Sequence, residues 1–587
     1  MAINKLELQW IGKDKPINCE KRLLIEDQSK SFSAESNSLF QSGIYDNLLI
    51  HGDNLLALNA LLKDYSGQVK CVYIDPPYNT GYAFDDYDDN LEHSIWLNLM
   101  HERLVLLHKL LKDDGVIVVQ IGFDEMAYLK VLMDEVFGRD KCLGQIAVRM
   151  SHSAGMKRKA MDKCYIKNTE YILVYYKKTA PVIKPIYEMC YDYPVNYYQY
   201  ILDFPTNDKP GTFCGLIDIL YTKFKKYFDK YELAKNNKSI DFLFKNCPEV
   251  YDYVIANKSR ICRKDSNVPN VDGIDASSLV KEDVFVRFIS VSGAEEYFIG
   301  KNSAGNYFQI YSLEDKVKKV EYVNEDGSVG EREAITNLIG DWWDNFYKDM
   351  SRVDIEGGVK MKASKKPERL IKWVFGSLTN PGDLVLDSFL GSGTTCAVAH
   401  KMGRKWIGIE MGDHCYTLAK VRLDNVISGK DKTGITSAMN WCGGGGYKFY
   451  ELAPSLIIKD AFDEPVINKE YHPELLASAV ALHEGFTFSP DRDVFWKQSK
   501  SNENAYLFVT TIYLTVEMLK EIESQMSEDE YLVIACKAFD KTCKDFSRKI
   551  TIKKIPQMLL GKCEFGKDDY SLNIVNPPIY EEEDDNE

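Results

Sequence analysis

Two stretches of this chain alternate short apolar runs with helix-like segments, and the long stretch between them does not. Runs at 47–51 (NLLIH), 69–74 (VKCVYI), 116–121 (VIVVQI) and 170–176 (EYILVYY) read as strands. Helices are predicted between them at 92–112 and 124–137, closed by Gly115 and Gly138, with Ile95, Leu99, Leu106 and Leu110 close to one face of the first. Near 180 the pattern stops, and tyrosines crowd YEMCYDYPVNYYQY. It resumes at 383 in DLVLDSFLGSGTTCAVAHKMGRKWIGIE: a strand at 384–387, a glycine-bearing turn, a helix from about Thr394, and a strand at 406–409 that ends on Glu410. This is an α/β layer interrupted by an insertion with its own core. Beyond WCGGGG at 441–446, read as a glycine hinge, strands such as AYLFVTTIYL and EYLVIACK predict a further mixed domain.

At 587 residues the chain needs two to four cores, and 45% hydrophobic residues are enough to build them. The 14 cysteines are scattered without C-x-x-C pairs or a histidine at ligand spacing, so neither a zinc site nor a disulfide framework is expected, and a reducing cytoplasm fits. The opening MAINKLELQWIGKDK mixes charges through its apolar residues, unlike a signal peptide, and no run reaches membrane-spanning length. A soluble, cytoplasmic protein without a membrane partner is the expectation. The net charge of −15 sits badly with a nucleic-acid partner, but part of it lies in the terminal EEEDDNE, while 149–163 (RMSHSAGMKRKAMDK) is locally basic.

Two segments carry chemistry. In DSFLGSGTT, Gly391 and Gly393 between strand and helix let backbone approach a ligand, and Glu410 at the next strand tip is placed for ribose hydroxyls. The missing G-K-[ST] excludes a P-loop, and the missing third glycine weakens a dinucleotide site and with it a dehydrogenase. Asp387, Glu410 and Asp413 repel phosphate and suit a cation, which fits S-adenosylmethionine (SAM); the turn by itself is also compatible with simple tight packing. In CVYIDPPYNTGY, Pro76 and Pro77 stiffen the end of a strand, where open α/β sheets bind ligands. Asp75 and the Pro76 carbonyl can accept from one exocyclic amine while Tyr78 stacks on a flat ring. An aminated base held this way must be flipped out of its duplex. A plain turn capped by an aspartate is the alternative, and the accompanying glycine turn and Glu410 weigh against it.

DPPY (75–78), DSFLGSGTT (387–395) and GIE (408–410), in this order, resemble the amino-group DNA methyltransferases of the beta group. LLIHGDNLLALNALL (48–62) resembles the strand whose terminal acid meets the SAM adenine, and KKPERLI (365–371) the segment leading into the SAM half. The likeness covers 45–178 and 362–426, and the whole resembles the modification (Mod) subunits of Type III restriction-modification systems.

The resemblance implies a Rossmann-like SAM-dependent methyltransferase fold with circularly permuted motifs and a mixed sheet, an inserted target-recognition domain and a C-terminal α+β extension. Its parts are an N-terminal arm (1–44), a catalytic half (45–178), a recognition insertion (179–361), a SAM-binding half (362–435), a C-terminal domain (436–580) and an acidic tail (581–587). It implies catalysis by Asp75, Pro76, Pro77 and Tyr78 and SAM binding by Asp53, Asp387, Phe389, Gly391, Gly393, Thr394 and Glu410, with no metal. The implied partners are double-stranded DNA, a second copy in a homodimer, and a helicase-nuclease restriction subunit. An aspartate opening the tetrapeptide favours adenine N6 over cytosine N4. Cytosine N4, RNA, an orphan methyltransferase and a non-catalytic DNA-reading subunit remain as competing readings. The loop 151–159 is a candidate for DNA backbone contacts, against a plain solvated basic loop, and NPPIY at 576–580 reads as a terminal turn.

Overall fold

A computed structural model describes residues 7–15, 18–35, 45–78, 89–152, 165–194, 196–271, 274–275, 280–281, 284–289, 295–323, 329–361, 365–501 and 504–570. The chain divides into two compact units, one formed by Met1–Lys184 with Asp341–Glu587 and the other by Pro185–Gly340.

The first unit is built on an eleven-stranded mixed sheet. Its first stretch supplies β1 (Leu24–Glu26), β2 (Phe32–Ala34), β3 (Asn47–His51), β4 (Val69–Ile74), β5 (Leu111–Ile121), β6 (Cys142–Arg149) and β7 (Thr169–Tyr176), with helices α1 (Asn54–Tyr65), α2 (Asp89–Leu110) and α3 (Phe123–Phe137). Across the sheet the order is β1, Gly445–Leu452, β3, Lys405–Glu410, Leu384–Asp387, β4, β5, β7, β6 and Trp342–Trp343, with β2 beside Gly445–Leu452. The strands from Gly445–Leu452 to β5 run parallel, and β7 is antiparallel to both β5 and β6.

The two α/β stretches therefore make one sheet. The late strands slot between the early ones: Leu386 pairs with Val72 of β4, and Gly408 pairs with Leu49 of β3. Parallel strands all present their carboxyl ends at one edge. That edge gathers the residues following β3, Lys405–Glu410, Leu384–Asp387 and β4. Both faces of these strands are covered, which is why all six residues of β4 are buried and the runs are apolar without alternation. The core includes Ile50, Leu58, Val72, Ile74, Trp96, Leu104, Ile117, Val119, Leu132, Leu386 and Ile407. In α1, Leu55, Leu56, Leu58 and Leu61 are buried, each stabilising the fold by about 1.5–3 kcal/mol.

Two local expectations are corrected. α2 ends at Leu110 and passes straight into β5, so Gly115 lies within the strand instead of closing the helix. Pairing between β4 and β5 jumps from Val69–Leu111 to Cys71–Val116, and a Cβ on Gly115 would lie 2.9 Å from the Val69 carbonyl. Of the α2 residues expected on one face, Leu99 and Leu110 are buried and Ile95 is exposed, and Trp96, Met100, Leu104 and Leu107 complete the buried side. The glycine run at 441–446 is no hinge. Gly445–Leu452 is a strand of the main sheet, and a Cβ on Gly443 would stand 2.8 Å from the Gly429 nitrogen. After it, a five-stranded sheet from Thr487–Phe488 to Ile550–Lys554 packs with the helix Pro473–Glu484 around Leu476, Val480, Leu507 and Val509.

The second unit holds a six-stranded antiparallel sheet containing Gln199–Asp203, Ile261–Asp265 and Tyr307–Ser312. The helices Leu216–Lys223, Asn237–Asn246 and Pro248–Ala256 bury Leu216, Leu220, Ile240, Leu243, Val250 and Val254, with Tyr193 and Tyr197 inside the same core.

Candidate active site

At the carboxyl end of β4 the chain leaves the sheet through Asp75, Pro76, Pro77 and Tyr78. Three contacts hold this turn. The buried Trp96 indole donates to the Pro77 carbonyl at 2.8 Å, the Tyr78 hydroxyl donates to Glu170 at 2.7 Å, and Lys366 Nζ lies 2.9 Å from Asp75 Oδ2. Lys366 also lies 3.4 Å from Glu170 and 4.9 Å from the centre of the Tyr78 ring. Behind them Gln120 donates to Glu170 and accepts from the Tyr73 hydroxyl. Gly122 leaves room for the ring, because a Cβ there would stand 2.9 Å from Tyr78 Cδ2.

Asp75 Oδ1 is buried and has no hydrogen-bond partner among the described residues. The Tyr78 hydroxyl is close to Asp75, but its one proton is committed to Glu170. Burial pushes the Asp75 carboxyl above the usual aspartate range, the Lys366 ammonium opposes that shift, and the Glu170 charge adds to it. Burial would lower the pKa of Lys366, yet the two carboxylates beside it raise it above the ordinary lysine value.

The glycine loop is organised differently. Gly391 and Gly393 adopt φ of +55° and +80°, a backbone that side chains disfavour. Glu410 takes the Gly391 N–H at 2.6 Å on Oε2, and the N–H groups of Met411 at 2.9 Å and Gly412 at 3.2 Å on Oε1. His414 Nε2 adds a contact at 2.9 Å. Burial works to raise the Glu410 pKa, but His414 and these N–H groups hold it below the ordinary glutamate range. Asp387 accepts from the Phe389 N–H at 2.9 Å, and burial pushes its carboxyl up to about 7. Next to it the buried Ser388 hydroxyl has no partner among the described residues, while the Ser388 carbonyl accepts from Asn54 at 2.7 Å. Phe389 packs its half-buried ring against the main core.

The remaining sequence-derived residues have other local work. Asp53 caps α1 through the N–H groups of Leu55 at 2.8 Å and Leu56 at 3.2 Å. Its other oxygen takes the Tyr570 N–H at 2.9 Å and faces Arg103 at 3.4 Å. The Thr394 hydroxyl accepts from Arg422 at 2.6 Å, so its side chain joins the buried Arg422–Glu368–Lys401 group behind the loop. Most of the basic loop 151–159, the terminal NPPIY and the acidic tail lie outside the described residues.

Sequence reasoning did not single out Lys366, Glu170, Gln120 or Trp96. Gln120 is the one polar residue in the run VIVVQI, and Lys366 sits inside the quoted KKPERLI, so both left a trace. Glu170 and Trp96 left none that separates them from an ordinary strand start and an ordinary helix core.

The chain belongs to the N6_N4_Mtase family, described as DNA methylase, whose model matches residues 69–421. It is 34% identical over 418 residues to the "Probable type III restriction-modification enzyme HindVI Mod subunit" of Haemophilus influenzae, covering 70% of this chain and 54% of that one. The match thus spans about half the length of that relative. The Type II methyltransferase M.EcaI of Enterobacter cloacae is 27% identical over 62% of this chain and 67% of its own length. The Type III EcoP15I Mod subunit of Escherichia coli is 23% identical over 89% of this chain and 84% of its own length.

Proposed function

We propose that this protein transfers a methyl group from SAM to the N6 amine of an adenine flipped out of double-stranded DNA, as the modification subunit of a Type III-like restriction-modification system. The observation that carries the reading is the buried, unpartnered Asp75 Oδ1 beside Tyr78 at the carboxyl edge of the sheet. Family membership supports it, as do the relatives named as Mod subunits and Type II methyltransferases.

The residues present fit SAM. The carboxylates of Glu410 and Asp387 and the orphaned Ser388 hydroxyl offer a set suited to a cation with ribose hydroxyls and unsuited to phosphate. In this reading Glu410 takes the ribose, Phe389, Gly391 and Gly393 line the pocket, the Thr394 helix closes the loop, and Asp387 supports the turn. Asp53 receives the adenine amine of SAM in competition with the Tyr570 N–H. SAM supplies a methyl group on a sulfonium, already a good leaving group. Asp75 Oδ1 and the Pro76 carbonyl accept the two N–H bonds of the target amine, which turns its lone pair toward the methyl. Tyr78 stacks on the extruded base, and Pro76 and Pro77 keep the acceptors from drifting. Rate then comes from alignment and from a negative site facing a nitrogen that gains positive charge.

The unit Pro185–Gly340 reads the target sequence in this proposal, and a second copy of the chain and a helicase-nuclease restriction subunit complete the assembly. The test is mass spectrometry of nucleosides from a methylation-free host expressing the chain or its Asp75→Ala variant. N6-methyladenine that appears only with the intact chain is the expected result. N4-methylcytosine in its place overturns the choice of base, and no methylated base overturns the reaction.

A further inference from the structure

One lysine, Lys366, touches both Asp75 and the Tyr78 ring. We propose that Lys366 is a positioning residue for methyl transfer: by clamping Asp75 Oδ2 and Glu170 together, it keeps Asp75 an anion with Oδ1 open to the target amine, and it keeps Tyr78 in its stacking position. The inference rests on the methylation reading above.

Lys366 is nearly buried, and removing an ammonium from water is costly unless charge partners replace the solvent. It has two, Asp75 at 2.9 Å and Glu170 at 3.4 Å. Here Oδ2 of Asp75 is taken and Oδ1 is left without a partner, so the clamp selects which oxygen stays open. Through Glu170, which holds the Tyr78 hydroxyl, the same ammonium also reaches the stacking ring.

The lysine is itself held on both sides. Pro367 follows with φ −70° at the start of the helix Glu368–Leu378, where Glu368 is fixed by Lys401 at 2.7 Å and Arg422 at 2.8 Å. Before it, the Lys365 ammonium donates to the Val359 carbonyl at 2.8 Å and to the Glu356 carbonyl. A clamp with a fixed backbone fixes what it grips.

Among the described residues, the charged and titratable groups around Asp75 are Lys366, Glu170, Tyr78, Tyr73 and Asp387. Among them Lys366 alone is a cation. Without it, burial and the Glu170 charge are opposed only by the Tyr78 hydroxyl, the Asp75 pKa rises further, and the ionised form that accepts the amine is lost at a higher pH.

The experiment compares wild type, Lys366→Met and Lys366→Arg in transfer of tritiated methyl to DNA from a methylation-free host across pH, with SAM affinity by calorimetry. Lys366→Met is expected to lower kcat at neutral pH at least tenfold and to move the acid limb of the kcat profile upward by about one pH unit or more, with SAM affinity within twofold of wild type. Lys366→Arg restores the position of the acid limb at a reduced maximal rate. The retained SAM affinity shows that the variants are folded. An active wild type with an unmoved acid limb in Lys366→Met overturns the inference, as does a loss of SAM affinity in step with kcat. An inactive wild type overturns the methylation reading and the inference with it.

Discussion

Asp75 follows one parallel strand of the sheet and Glu410 ends another, and they use their oxygens in opposite ways. Glu410 has both oxygens engaged by its own surroundings, Oε1 by the Met411 and Gly412 N–H groups and His414, and Oε2 by the Gly391 N–H alone, which leaves it an acceptor position. Asp75 has one oxygen against Lys366 and one buried oxygen that no donor takes among the described residues. The Glu410 end is a carboxylate that shapes a loop, and the Asp75 end is a carboxylate kept waiting. The pKa shifts agree with the contrast: Glu410 is held below the ordinary range by its donors, while burial lifts Asp75 above it despite the lysine. Chemistry at a strand end therefore depends on what the neighbouring backbone leaves unsatisfied more than on the residue type.

The largest expected effect is at the waiting carboxylate. Asp75→Asn keeps the size and removes the charge, and it should lower methyl transfer by roughly 10²–10³-fold with SAM affinity nearly unchanged. Single-turnover kinetics beside calorimetry measure both, and equal losses would erase the distinction between the two ends. At the engaged carboxylate the order reverses. Glu410→Ala should weaken SAM binding by about tenfold or more and, by orphaning the Gly391, Met411 and Gly412 N–H groups, lower stability by about 1–3 kcal/mol. Chemical denaturation without SAM reads the second loss by itself, and an unchanged midpoint would show that the loop does not need its glutamate.

The smallest effect concerns Asp387, which lies between the two in the sheet order. Its carboxyl is pushed up to about 7 by burial, so the folded state binds its proton more tightly than the unfolded chain. The stability this proton lends is complete below the unfolded value near 4 and falls as pH rises to about 7. Asp387→Asn, which has no such proton to lose, should melt a few degrees higher relative to wild type at pH 8 than at pH 5. Parallel Tm curves across that range would show that the buried acid is tolerated as a charge.

Much of this site is local and was therefore readable from the chain alone. A strand announces itself by an unbroken apolar run when both faces are covered, a proline pair stops it wherever it lies, and glycines mark a backbone that side chains disfavour; these features placed Asp75, Tyr78, Gly391, Gly393 and Glu410 at strand ends. Where the local rule was ambiguous the reading slipped. Gly115 looked like a helix stop and is a close approach to Val69, and the glycines at 441–446 looked like a hinge and lead into a strand of the main sheet. Pairing across long separations left no such mark. That Leu384–Asp387 enters between β4 and Lys405–Glu410, that a lysine far along the chain reaches Asp75, and that one carboxylate oxygen stays unpartnered are decided by packing. Sequence determined which residues end the strands; only the assembled sheet decided which of those ends is left open, because an unsatisfied atom is defined by everything that folds around it.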